Sequence, residues 1–299
     1  MFSAASPEHP GPAGCWRSDP ATDGTKDFIT QDTPMDLQIT GRLAVVTGAA
    51  GGIARATAKA LATEGAHLFL TDVDADKLSA CARELGEAVV GTRAADLTSD
   101  TDVAALADEV AGKGGADILV HMAGITGAKG DPLDMEYDDW FACWNTNFMS
   151  GVRMARALVP HMAAQGWGRV VFTVSENAVQ PYPDEAVYNA SKAALLSFVK
   201  ALSQPYGPKG VLVNAVMPAF IESPMTDGMM EKRAAARGVS KEDAIQTFLA
   251  EERPYLTLGR RGKADEVAVA AAMLCSERAS FTNGSAWRVD GGAVAAINT

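Results

Sequence analysis

Cysteine is scarce in this chain. Cys15, Cys81, Cys143 and Cys275 are widely scattered over 299 residues, with no CxxC pair. That excludes a disulfide framework and a structural zinc site, and it fits free thiols in a reducing compartment. Histidine is equally sparse, and His67, His121 and His161 fall at no metal-ligand spacing, so no metal is expected. Basic residues are outnumbered, 26 Lys and Arg against 37 Asp and Glu, for a net charge of −11. This balance argues against nucleic acid or an anionic membrane as a partner. No apolar run approaches the ~20 residues of a membrane span. The composition therefore predicts a soluble, cytoplasmic protein.

Apolar residues make up 47% of the chain, ample for one large core, and α/β domains commonly run to about 250 residues. Residues 1–36 stand apart, rich in Pro, Gly, Ser, Thr and Asp and without apolar period. They lack the apolar core of a secretory signal and are too acidic for a transit peptide. They read as a disordered tail without chemistry, and Met35 offers an alternative start. The remainder, 37–299, reads as one domain with order beginning at Gly41.

Short apolar runs at 43–47, 67–71, 88–94, 117–120, 169–174, 210–216 and 286–289 alternate with helical stretches at 55–64, 75–85, 100–112, 136–163, 185–204 and 264–275. Continuous apolar strands separated by helices predict an α/β fold: a Rossmann-type, doubly wound parallel sheet of about seven strands flanked by helices. Residues 219–256 interrupt the alternation with a polar, Met-containing insertion including Phe220, Ile221, Met225, Met229 and Met230. At the carboxyl ends of the strands it would act as a substrate lid, or its second half would serve as a packing or oligomer helix pair.

The first strand runs straight into Gly48-Ala49-Ala50-Gly51-Gly52-Ile53-Ala54 and then a helix. Strand, glycine turn and helix is the context in which backbone amides hold a pyrophosphate, although a ligand-free turn has the same letters. Asp72 ends the next strand, 24 residues beyond Gly48. An acid there accepts hydrogen bonds from the adenosine ribose and repels a 2′-phosphate, which favours NAD(H) over NADP(H). The competing reading of Asp72 is a helix cap, and one carboxylate can do both jobs.

Tyr188 and Lys192 lie four residues apart in a predicted helix and so share one face. An ammonium beside a phenol favours the phenolate and makes the tyrosine an acid/base. Ser175, thirteen positions before Tyr188, ends the strand 169–174 and would meet the tyrosine across a cleft. A lone Tyr-x-x-x-Lys pair is more often solvated helix surface, so its weight comes from its neighbours.

Together these residues resemble the short-chain dehydrogenase/reductase family over nearly all of 37–292. Thr47 through Ala54 is similar to that family's TGxxxGxG turn, Asp96-Leu97 to its adenine-contacting pair, and Ala123-Gly124 to the end of NNAG. Asn147, Ser175, Tyr188 and Lys192 match the catalytic positions. Asn214 through Ala219 resembles NAVxPG, and Gly259-Arg260, Glu266-Val267-Ala268 and Val289 through Gly292 complete the C-terminal signature. Three positions depart: Ala54 for the third glycine, a methyl that the fingerprint tolerates at some cost in cofactor binding; His121-Met122 for Asn-Asn; and Ala219 for Gly.

The resemblance implies interconversion of a secondary alcohol and a ketone by hydride transfer, with Tyr188 as acid/base and Lys192 on the nicotinamide ribose, lowering the tyrosine pKa. Ser175 would orient the substrate oxygen and Asn147 would hold a relay water. Cofactor contacts would come from Gly48, Gly51, Gly52, Ile53, Asp72, Asp96, Leu97, Ala123, Gly124, Tyr188, Lys192, Pro218, Ile221 and Ser223. Substrate contacts would come from Glu176, Asn177, Tyr182 and Met225. Substrate classes left open are a polyol or sugar, a 3-oxoacyl thioester, and a hydroxysteroid or cyclic alcohol. The family implies a homotetramer (or homodimer) through the 136–163 and 185–204 helices. The alternative is a non-catalytic nucleotide-binding or redox-sensing module on the same fold.

Overall fold

The computed structural model describes residues 35–297, so the expected tail lies almost wholly outside the described residues. Seven strands form one sheet: β1 (Leu43–Thr47), β2 (His67–Asp72), β3 (Val89–Ala94), β4 (Ile118–His121), β5 (Gly168–Thr173), β6 (Val211–Pro218) and β7 (Ala286–Val289). They pair in the order β3-β2-β1-β4-β5-β6-β7, every pair parallel. Every residue of β1 and β4 is buried, which is why these strands read as unbroken apolar runs.

Helices α1 (Gly52–Thr63), α2 (Ala75–Leu85) and α9 (Ala264–Leu274) cover one face, where Ala58, Leu61, Leu78, Val267 and Ala271 join one apolar cluster with Val46 and Leu70. Helices α3 (Asp100–Ala111), α5 (Ser150–Gln165) and α6 (Ala186–Tyr206) cover the other. There Leu106, Met154, Leu158, Leu195 and Val199 pack on Val45, Leu119 and Phe172. The chain reverses its winding direction between β1 and β4. Their carboxyl ends are therefore a topological switch point, where open α/β sheets leave a crevice for ligands.

Four sequence boundaries shift. The first helix starts at Gly52, three residues early, because the glycine turn itself enters it. The sixth strand runs on to Pro218. Order begins before Gly41: Leu37 and Ile39 are core residues, and the Leu37 N–H donates to Glu64 Oε2 at 3.2 Å. The helix expected over 136–163 is two, α4 (Tyr137–Trp144) and α5, joined by a π turn at Asn145–Met149. The insertion folds as a helix pair, α7 (Pro224–Arg237) and α8 (Lys241–Glu252), over a separate apolar cluster of Phe220, Met230, Ile245, Phe248, Leu249 and Leu256. Among the described residues no helix is long and apolar enough to cross a membrane.

Candidate active site

The crevice is built from the glycine turn upward. Gly48 has φ +63°, and a Cβ there would lie 2.9 Å from the Ala123 backbone. A side chain would push apart the tips of β1 and β4, so glycine is required. A Cβ on Gly51 would come 3.1 Å from the Gly48 carbonyl. Helix α1 opens at Gly52 with no acidic residue in its first turn and no side-chain cap. The start of α7 faces it, with Ser223 Cβ 3.7 Å from a Cβ built on Gly52. Two helix N-termini thus converge on one place, each with partial positive charge, and the start of α1 adds uncapped amides. The Ser223 hydroxyl is engaged in a capping box with Thr226, its oxygen accepting the Thr226 N–H at 3.2 Å.

At the other end of the crevice Asp72 is held by two backbone amides, from Ala50 and Asp74, each at 3.0 Å. Asp96 accepts the Thr98 N–H and hydroxyl at 2.8 and 2.7 Å, and the Thr98 amide holds its carboxyl below the usual range. Leu97 is buried beside it, and Ile221 in the wall next to Ser223. The Ala123 N–H donates to Thr47 Oγ1 at 3.2 Å. Ala54 is 2% exposed within the core, so its methyl fills packing space under the turn. These residues fit a nicotinamide dinucleotide: a glycine cradle that a Cβ would fill, open amides at the start of α1, and an acid fixed at the end of β2.

His121 replaces the family's Asn with a fully engaged ring. Thr47 Oγ1 lies 3.0 Å from Nδ1 and Ser150 Oγ 3.1 Å from Nε2. Thr47 already accepts the Met122 and Ala123 amides, and Ser150 donates to the Thr146 carbonyl at 2.5 Å. The network therefore assigns the proton to Nε2. Burial brings the His121 pKa down to about 3, with the Lys192 charge acting in the same direction.

Ser175, Tyr188, Lys192 and Asn147 converge at the carboxyl ends of β5 and β6. Lys192 Nζ is 5.6 Å from the Tyr188 ring centre and donates to the Thr173 carbonyl at 2.8 Å. Asn147 sits in the π turn, where its amide brackets Ile125, accepting the N–H at 2.7 Å and donating to the C=O at 2.9 Å. It also donates to Ser191 Oγ at 3.0 Å. A Cβ on Gly124 would meet Asn147 Oδ1 at 3.1 Å and Lys192 Nζ at 3.6 Å. The expected depression of the tyrosine pKa is not what the surrounding protein groups produce. Burial, followed by the Glu176 charge, pushes the Tyr188 phenol up, while hydrogen bonding to Ser175 works the other way. Lys192 instead loses basicity, its pKa brought down to about 8 by burial.

Beside these four lies a buried polar cluster that the sequence revealed only in part. Glu176 and Asn177 are each 3% exposed. Asn177 Nδ2 donates to Glu185 Oε2 at 2.6 Å and to Asn189 Oδ1 at 2.8 Å. Glu185 also receives Lys129 Nζ at 2.5 Å and Arg253 from the end of α8 at 3.0 Å. The Arg253 guanidinium lies 3.4 Å over the Tyr182 ring. Met225 is 55% exposed on the first turn of α7, apart from this cluster. Arg253, Glu185 and Lys129 were missed; they are distant in sequence, and isolated charged letters look like solvated surface.

Comparison with known proteins accords with this geometry. A family model described as enoyl-(acyl carrier protein) reductase matches residues 48–294. The 2-dehydro-3-deoxy-L-rhamnonate dehydrogenase (NAD⁺) of Sphingomonas sp. is 33% identical, over 84% of this chain and 95% of that one. The 3-oxoacyl-[acyl-carrier-protein] reductase of Thermotoga maritima is 31% identical, over 86% of this chain and all of that one. The crystal structure of L-sorbose reductase from Gluconobacter frateurii, in complex with NADPH and L-sorbose, superposes with a TM-score of 0.83 at 35% identity. It covers 88% of this chain and all of the reductase.

Proposed function

The chain belongs to the short-chain dehydrogenase/reductase family, and we propose that within it the protein prefers NADH and turns over a polyhydroxylated ketone or the corresponding secondary alcohol. The reaction class is that of an NAD(P)-dependent oxidoreductase acting on CH–OH; a non-catalytic role is not favoured. The observation that carries the cofactor choice is Asp72, whose two backbone hydrogen bonds hold a carboxylate at the ribose end of the crevice. A 2′-phosphate would meet that charge; the neighbouring Lys77 is already paired with Asp74 at 2.7 Å. The NADPH in the L-sorbose reductase structure keeps the opposite preference as the competing reading.

A bound nicotinamide supplies or accepts the hydride. The chain's own residues handle the proton and the orientation. Tyr188 gives its phenolic proton to the carbonyl oxygen in reduction and takes it back in oxidation. Ser175 hydrogen-bonds the same oxygen and holds the carbonyl carbon toward the nicotinamide face. Lys192 carries a charge close to its titration point, ready to pull down the phenol pKa once its own contacts rearrange around a ribose. Asn147 fixes the loop at Ile125 and leaves Ser191 and Lys192 as neighbours for a relay water. The polar cluster of Asn177, Glu185 and Arg253, with the more exposed Lys129 at its edge, makes this wall of the cleft polar and favours a substrate rich in hydroxyls over an apolar steroid or acyl chain.

Titration with NADH and NADPH, followed by nucleotide fluorescence, tests the cofactor choice: NADH should bind at least about tenfold tighter, a difference of about 1.4 kcal/mol. Tighter NADPH binding would overturn the Asp72 argument. In steady-state assays with a ketose panel, Tyr188→Phe should lower turnover by about 10²–10⁴ while cofactor still binds. Unchanged turnover would remove Tyr188 from the mechanism.

A further inference from the structure

We propose that Glu176 is a positioning residue for Ser175, its carboxyl deciding whether the serine hydroxyl presents a proton or a lone pair to the substrate oxygen. The inference rests on the reading of Ser175 as the substrate-orienting hydroxyl. Ser175 has one proton and two lone pairs. Besides the Tyr188 phenol, three acceptors lie within its reach: Glu176 Oε2 at 2.6 Å, Asn177 Oδ1 at 3.1 Å and the Pro218 carbonyl at 3.5 Å. The Asn177 backbone N–H already donates to the serine oxygen at 3.3 Å. The Asn177 side-chain amide cannot turn to offer a donor, because its NH₂ is committed to Glu185 and Asn189.

With Glu176 ionised, the serine proton goes to the carboxylate, since that bond is both the shortest and charge-assisted. One lone pair then remains facing the cleft. It can accept from an alcohol, but against a ketone oxygen it is repulsive. With Glu176 protonated, the acid donates to that lone pair, and the serine proton is released to the carbonyl oxygen beside the Tyr188 hydroxyl. Ketone reduction therefore draws on the protonated acid.

The surroundings put this switch in an accessible range. Glu176 is buried, and burial pushes its pKa up to about 7, against the Ser175 hydrogen bond and the Arg253 charge, with Glu185 adding to the rise. The groups facing it are Arg253 from the end of α8, Tyr182 and Glu185 from the loop before α6, and Tyr188 on α6. Lys129 acts behind Glu185, and Asp290 bears on Tyr182 from the C-terminal loop.

The test is the pH profile of kcat/KM for ketone reduction at saturating reduced cofactor, in the wild type and in Glu176→Gln. The glutamine amide donates to Ser175 permanently. The wild type should fall about tenfold per pH unit above a limb near 7, and the variant should hold its low-pH rate through that range. A limb that persists unchanged in Glu176→Gln, or its absence from an active wild type, overturns the proposal. If Glu176→Gln is inactive throughout, Glu176→Asp decides: the shorter carboxyl must move the limb, and an unmoved limb counts against the idea. A second readout needs no turnover. Infrared difference spectra of wild type minus Glu176→Gln should contain a protonated-carboxyl band that disappears as pH rises through 7. No such band at pH 5.5 overturns the assignment even if no ketone is reduced, whereas a titrating band without turnover faults only the substrate reading.

Discussion

His121 joins the tip of β1 to the start of α5 through one ring, and both ring nitrogens are used. Its neutral form is required there, because protonating Nδ1 would set two donors against Thr47. The folded pKa, about 3, lies below the usual value of 6.5, so the unfolded chain binds the proton more tightly. Stability from this residue is therefore present above pH 6.5 and is lost as pH falls toward 3. Between pH 7 and 5 the loss amounts to about 2 kcal/mol. Glu176 works in the opposite sense: its raised pKa adds stability below 4.5 that is lost as pH rises through 7. The overall acid profile mixes the two, but the difference between wild type and His121→Asn isolates the histidine. In urea unfolding, that variant should be less stable at pH 7 and should regain about 2 kcal/mol relative to wild type by pH 5. A constant difference would mean the ring is not neutral by constraint. Ser175, Tyr188 and Lys192 were legible because a fixed spacing in one strand and one helix is enough to bring them together. Glu176 was named as a cleft residue, but nothing in its letter reveals burial, and its bearing on Ser175 depends on a 2.6 Å contact.

The alternation of apolar runs and amphipathic stretches revealed every strand, whereas the crevice between β1 and β4 follows from the strand order. Two element-scale features escaped. The π turn at Asn145–Met149 keeps helical composition, so no pattern separates it from the helices on either side; it nevertheless turns Asn147 onto Ile125. The attachment of the α7–α8 pair was hidden for a different reason. Its anchor, Arg253, reaches Glu185 across 68 residues of sequence. Arg253 is 6% exposed, at the C-cap of α8, and lies between the Tyr182 and Phe248 rings, 3.4 and 5.1 Å from their centres. Although burial pushes the Glu185 carboxyl up, the Arg253 and Lys129 charges hold it below the usual range. Removing the guanidinium leaves a buried carboxylate with half its compensation, which costs about 3–5 kcal/mol. Arg253→Met should therefore speed amide exchange across 224–252 while leaving β1, β4 and β5 protected. Arg253→Lys should recover part of the protection, because the charge returns without the planar stacking. Equal exchange in all three proteins would mean that the Phe248 cluster alone holds the pair down.

At the scale of the whole molecule the sheet is covered on both faces, yet α4 carries aromatic residues that the fold does not cover. Tyr137, Phe141 and Trp144 are 81%, 68% and 41% exposed, and their spacing of four and three residues puts them on one helix face. Exposed aromatic stripes of this kind are uncommon on monomers and mark association surfaces. The 136–163 region is also the segment through which the family resemblance implies subunit contact, so a second copy of the chain is the expected cover. Sedimentation velocity should give a mass that is a multiple of 31.2 kDa. Phe141→Glu places a charge at the centre of the stripe, where association would strip its water without offering a partner. It should weaken assembly by at least about tenfold in dissociation constant. It leaves the Ser175–Tyr188–Lys192 geometry untouched, because α4 reaches that site through Cys143 on its opposite side, 3.2 Å from Asn147 Nδ2. Cofactor binding should accordingly survive in the dissociated protein. A wild type that sediments as a monomer at micromolar concentration would remove the association reading, and the stripe would then need a different partner.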